Sequence, residues 1–96
     1  MLGHNQVWLS GNVGGNVKQG KTRDDSLACS FSLASEAIGR GTTWVRVNAY
    51  GDIALDCIDS LDKGAYCSVI GELMNREGRH GEITEVRAIS VIIHET

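Results

Sequence analysis

The chain contains no proline, only one phenylalanine, and no apolar run near the roughly 18 residues a membrane span requires. A spanning helix is therefore not expected. Its N-terminus, "MLGHNQVWLSG", lacks a charged segment followed by an apolar one. It does not read as a signal peptide, and the cytoplasm is the expected compartment. The cysteines Cys29, Cys57 and Cys67 form no CxxC pair, and His4, His80 and His94 stand at no metal-ligand spacing from them. Buried, reduced thiols are expected, and no metal. Neither a phosphate-binding loop nor a nucleophile elbow is present. The neighbouring Asp24 and Asp25 would point apart in a strand, and Ser32 and Ser35 have no His partner in any motif. Catalysis and a cofactor are not expected. There are no repeats and no low-complexity segments, so 96 residues read as one domain, 1–96, with a modest core. Positive charge is also short: nine Lys and Arg against twelve Asp and Glu give −3, which argues weakly against a polyanion partner.

Glycine is abundant, at 12 residues. Without proline, that composition fits short strands and Gly-rich turns better than long helices. "NQVWLSGNVGG" alternates: Val7, Leu9 and Val13 take one face, and Gln6, Trp8, Ser10 and Asn12 the other. This is the first strand, with a bend at the glycines that follow. "NVKQGKTRDDS" reads as an exposed loop carrying Lys18, Lys21 and Arg23. "LACSFSLAS" is the second strand, with Leu27, Cys29, Phe31 and Leu33 on one side and Ala28, Ser30, Ser32 and Ala34 on the other. "EAIGRG" is a short loop holding Arg40, and "GTTWVRVNAYG" is the third strand.

The period then changes. Ile53, Ala54, Cys57, Ile58 and Leu61 recur at helical spacing, with Asp52 expected as N-cap and Gly64 as the left-handed residue ending the helix. "AYCSVIGELMN" is the fourth strand, with Cys67, Val69 and Leu73 inward. "REGRHG" is a tight basic hairpin loop with Arg76, Arg79 and His80. "EITEVRAISVIIH" is the fifth, bent or bulged near Ala88, where its apolar phase shifts. The order β-β-β-α-β-β predicts an all-β fold, a five-stranded Greek-key OB barrel with one α-helix between strands three and four. Such barrels grip oligonucleotides or oligosaccharides on the outer face of strands two and three and with the one-two and four-five loops. Here those two loops are the basic ones. The four Asp and one Lys between Asp52 and Lys63 account for the whole net charge, leaving eight basic and eight acidic residues elsewhere. That acid is remote once a Debye length of about 8 Å intervenes.

One of the two tryptophans and one of the two tyrosines lie in the third strand. Successive strand residues point to opposite sides, so Val45, Val47 and Ala49 fill the barrel while Trp44, Arg46, Asn48 and Tyr50 line its surface. An exposed ring offers a face on which any base stacks, worth roughly 1–3 kcal/mol per base. The two rings are about 20 Å apart along the strand, so each would hold a different nucleotide. Arg46 would clamp a phosphate or base, and Asn48 would hydrogen-bond between the rings. Lys18, Lys21, Arg23, Arg76, Arg79 and, more weakly, Arg40 would hold the backbone. Packing against a loop or a second subunit is the competing use of such rings. The first strand offers an edge for a dimer.

"NQVWLSGNVGGN", "FSLAS", "TTWVRVNAYGDIA", "LDKGAYCSVIGEL" and "EITEVRA" resemble, in order, the OB-domain motifs of bacterial single-stranded DNA-binding protein, from about Asn5 to Val91. The resemblance implies sequence-independent binding and protection of single-stranded DNA in replication, recombination and repair, on a homo-oligomer that in the family is a tetramer. It matches Trp44 and Tyr50 to two of the family's stacking positions. Two others fall on Ile38 and Gly39, and near Gly78, where this chain has no aromatic. Trp8 replaces an aliphatic near the family's dimer contact, which implies a place at a subunit interface, with DNA contact as the alternative. The chain stops at "VIIHET", without the family's linker and acidic tip, so recruitment of replication partners through such a tip is not expected. The alternative is an OB-fold protein–protein interaction module of the primosomal accessory kind with weak DNA binding. Salt dependence separates the two: a coat loses affinity linearly in log salt, with a slope of roughly −0.7 per phosphate contacted.

Overall fold

The computed structural model describes residues 3–37 and 39–94. Six strands and one helix follow in the order β1 (Val7–Val13), β2 (Lys18–Lys21), β3 (Leu27–Ala37), β4 (Gly41–Tyr50), α1 (Gly51–Ser60), β5 (Tyr66–Gly78) and β6 (Gly81–His94). β1 pairs antiparallel with β5 and, through Asn12 and Val13 only, with β3. β3 pairs antiparallel with β4, β4 pairs parallel with β6, and β6 pairs antiparallel with β5. These five strands form a closed circuit, the all-β, OB-like arrangement expected, with the helix between β4 and β5.

The sixth strand is a difference. Lys18–Lys21, expected in a loop, pairs residue for residue with Leu27–Ser30 of β3. "KQGK" has no apolar alternation, and all four residues are exposed. The pairing is supplied by the backbone edge that β3 presents, not by a core face of β2. The turn between them is held by Thr22, whose N–H donates to the Ser26 carbonyl at 2.9 Å and whose Oγ1 accepts from Ser26 N–H at 3.1 Å. Arg23 sits in this turn.

Inside the circuit lie Leu33, Val47, Ala49, Val69, Cys67 and Val86, all fully buried. Ala54, Cys57 and Leu61 close one end from the helix, as their spacing predicts. Cys29, Cys57 and Cys67 are buried free thiols. Burial, with the neighbouring Cys29 thiol, pushes the Cys57 thiol up to about 12.

The helix ends differ from expectation. Tyr50, extended at φ −136°, occupies the N-cap without a side-chain hydrogen bond, and Asp52 lies in the first turn, where its charge favours the helix dipole. The C-cap is Leu61, whose N–H reaches the Cys57 carbonyl. Gly64, at φ +90°, turns the chain into β5 instead of ending the helix.

The β5–β6 hairpin corrects a third point. β5 runs on to Gly78, which pairs with Gly81, so the connection is only Arg79 and His80. Arg76 therefore stands on a strand, not in a loop. The phase shift near Ala88 is a bulge: Ile70 pairs with Ser90 and Gly71 with Ala88, leaving Ile89 unpaired.

Candidate nucleic-acid interface

β3 and β4 pair over ten residues, and the side chains on their outer faces differ in size. Ala28, Ser30, Ser32 and Ala34 of β3 stand opposite Tyr50, Asn48, Arg46 and Trp44 of β4. Small side chains make a floor and large ones a wall beside it. The opposite wall is the Gly14–Gly15–Asn16 turn and β2. Two adjoining depressions result. One is lined by Trp44, Arg46, Ser30, Ser32, Lys18 and Gly14, the other by Arg46, Asn48, Tyr50, Lys18, Lys21 and Ala28. Lys18 and Arg46 border both, so a single groove runs from Trp44 to Tyr50. The unexpected strand β2 is thus one of its sides.

Trp44 is 63% exposed and Tyr50 36%. The Trp44 ring lies against Gly14, where a Cβ would overlap it. Tyr50 carries the Arg87 guanidinium 5.9 Å from its ring centroid. Arg87 also lies 3.2 Å from Glu72. Arg87 is absent from the sequence-based expectation because parallel pairing with β4, Asn48 opposite Arg87, brings it there. Lys18, Ser30, Asn48 and Arg87 fall in one row across four strands.

Beside the groove, on β6 behind the β4 wall, is a buried acid. Glu85 is 1% exposed. Its Oε1 accepts from Arg76 Nε at 2.8 Å and from Asn48 Nδ2 at 3.0 Å. Its Oε2 lies 3.2 Å from Arg46 Nε but accepts no hydrogen bond of good geometry. Burial pushes the carboxyl pKa up. The hydrogen bonds from Arg76 and Asn48 and the charges of Arg76 and Arg46 outweigh it, and hold the group below the usual glutamate range. Arg46 Nη2 also donates to Ser30 Oγ at 3.1 Å. Sequence spacing missed Glu85, because residues 46, 48, 76 and 85 meet only when β4, β5 and β6 assemble.

The other expected residues divide. Lys21 pairs with Asp25 at 3.3 Å on the exposed surface, a contact worth little. Lys18 lies in the groove. Arg23 and Arg79 occupy exposed turns, and Arg40 stands exposed in the turn before β4. Those three line neither depression. Ile38 lies outside the described residues. Trp8, 72% exposed, stands on a different face, formed by β1, β5 and β6, where Ile70 is its cross-strand partner.

An aromatic at each end of a groove, with guanidinium, ammonium and amide groups between, suits a flexible polyanion bearing flat bases. Among the described residues no helix is long and apolar enough to cross a membrane. The family model described as "Single-strand binding protein family" matches residues 4–96. The chain belongs to that family, a DNA-binding and not an enzymatic one, whose ligand is single-stranded DNA. No curated protein matches it.

Proposed function

We propose that this chain coats and protects single-stranded DNA without sequence preference, in replication, recombination and repair, with bases stacked on Trp44 and Tyr50. The observation that carries the reading is the groove itself: two exposed rings on one strand, bounding a floor of Ala and Ser. A stacking face accepts every base equally. Arg46, Asn48 and Lys18 contact phosphate or base between the rings. Arg76, on β5, adds charge beside Arg46 through the shared Glu85. Lys21 adds charge where it borders the groove, and Arg23, Arg40 and Arg79 act at longer range, as steering charge. Holding a strand extended needs neither a cofactor nor bond chemistry.

The protein acts as a homo-oligomer, a dimer or a tetramer. Trp8, Ile92 and Tyr66 are 72%, 47% and 42% exposed on the outer face of β1, β5 and β6, an apolar area suited to a second copy. The strand edge is a smaller contributor, because β1 is already paired with β3 at Asn12 and Val13.

The test is the anisotropy of labelled oligo(dT) across a salt series, with duplex DNA as competitor. The reading expects log affinity to fall linearly with log salt, by roughly 0.7 per phosphate contacted, and duplex to compete poorly. Absence of binding at low salt would favour an OB-fold protein–protein interaction module instead.

A further inference from the structure

We propose that Glu85 is a positioning residue at the β4 side of the groove, facing the Nε edges of Arg46 and Arg76 so that their terminal nitrogens are left to the ligand. The proposal rests on the reading that the groove takes single-stranded DNA. Arg46 belongs to β4 and Arg76 to β5, strands that do not pair with each other. Glu85 belongs to β6, which lies between them. Its carboxylate touches both guanidiniums, at 3.2 Å and 2.8 Å. The arginine side chains remain 47% and 44% exposed, while that of Glu85 is 2% exposed. The acid is thus sealed from any ligand and the bases are not.

The geometry at nitrogen is the second observation. Both arginines present Nε to Glu85. Arg46 gives Nη2 to Ser30, and the remaining terminal nitrogens take no hydrogen bond among the described residues. These are the nitrogens that meet a phosphate in a forked contact. One carboxylate facing two guanidiniums leaves a positive charge over in the cluster. A buried ion pair contributes little to stability compared with apolar packing, so its place beside a ligand groove calls for another reason. Pre-setting two long, rotamer-rich side chains is such a reason, since the ordering is complete before DNA arrives.

The alternative has the opposite sign. If Glu85 acted only as a local negative charge, removing it would strengthen binding to a polyanion. Labelled oligo(dT) is titrated, at one moderate salt concentration, into the wild type, Glu85→Gln, Arg76→Ala and the double variant. The proposal expects Glu85→Gln to weaken binding about tenfold, the order expected when one charge-assisted hydrogen bond loses its alignment. In the Arg76→Ala background the same change should cost about threefold or less, because one of its two dependants is gone. Equal or tighter binding by a folded Glu85→Gln overturns the proposal and leaves the functional reading standing. No binding by the wild type overturns both. A second measurement needs no variant: the Nε–Hε resonance of Arg76, which donates to Glu85, should be protected from solvent exchange in the DNA-free protein relative to those of Arg23 and Arg79. Equal exchange at all three sites overturns the proposal.

Discussion

Trp44 rests on Gly14: a methyl group there would overlap the far edge of the indole. The same glycine donates its N–H to the Ser32 carbonyl at 2.8 Å, so the turn is fixed to the groove floor. The ring is therefore aimed by a residue thirty positions earlier in the chain. Gly14→Ala should turn the exposed ring outward without disturbing the core. Oligo(dT) affinity should fall by about 3- to 10-fold, part of the 1–3 kcal/mol that one stacked base supplies, with little change in the thermal midpoint.

Gly71 gives the contrasting case. A Cβ there would overlap the Arg87 carbonyl, beside the bulge at Ile89. Backbone cannot rotate away as an indole edge does. Gly71→Ala should cost about 1–3 kcal/mol, the range for overpacking. Calorimetry should show the midpoint falling by roughly 4–8 °C per kcal/mol for a domain of this size.

Acid stability should depend on Glu85. Its folded-state pKa is depressed, so the unfolded chain binds more protons in the acid range and stability rises with pH there. The contribution is complete above the ordinary glutamate range and disappears as pH falls through the depressed folded value. The stability difference between wild type and Glu85→Gln should therefore shrink as pH falls from neutral through and below the ordinary glutamate range. Denaturant titrations at several pH values read this directly. A constant difference would contradict the assignment.

Trp8 should report on assembly. At 72% exposure its replacement costs the isolated fold little, whereas Trp is a common anchor in subunit contacts. Trp8→Glu should shift the mass measured by light scattering toward the monomer and leave the circular dichroism spectrum unchanged. An unchanged mass would move the interface elsewhere.

Much of the scaffold was legible in the sequence because burial imposes a period. Val47 and Ala49 point inward and Trp44 and Tyr50 outward, as strict alternation requires, and the phase shift at Ala88 marked a real bulge. Ala54, Cys57 and Leu61 marked the buried face of the helix. What escaped had no period to betray it. Lys18–Lys21 is a strand by virtue of a partner's edge alone. Glu85 reads as a surface acid in the chain, yet among the described residues it is the most deeply buried charge, because the arginines that accompany it come from distant strands. Arg76 looked like loop charge because Gly78 and Gly81 frame a much shorter turn than "REGRHG" suggests.

Stacking on Trp44 is the central claim, and tryptophan fluorescence tests it directly. Poly(dT) is titrated into the wild type and into Trp44→Ala at low and high salt, with Trp8, on another face, as the remaining emitter. Strong quenching in the wild type, weakened by salt and lost in Trp44→Ala, is the predicted result. Quenching that survives in Trp44→Ala, or none at low salt in the wild type, would contradict it and assign the groove's rings to contact with another protein.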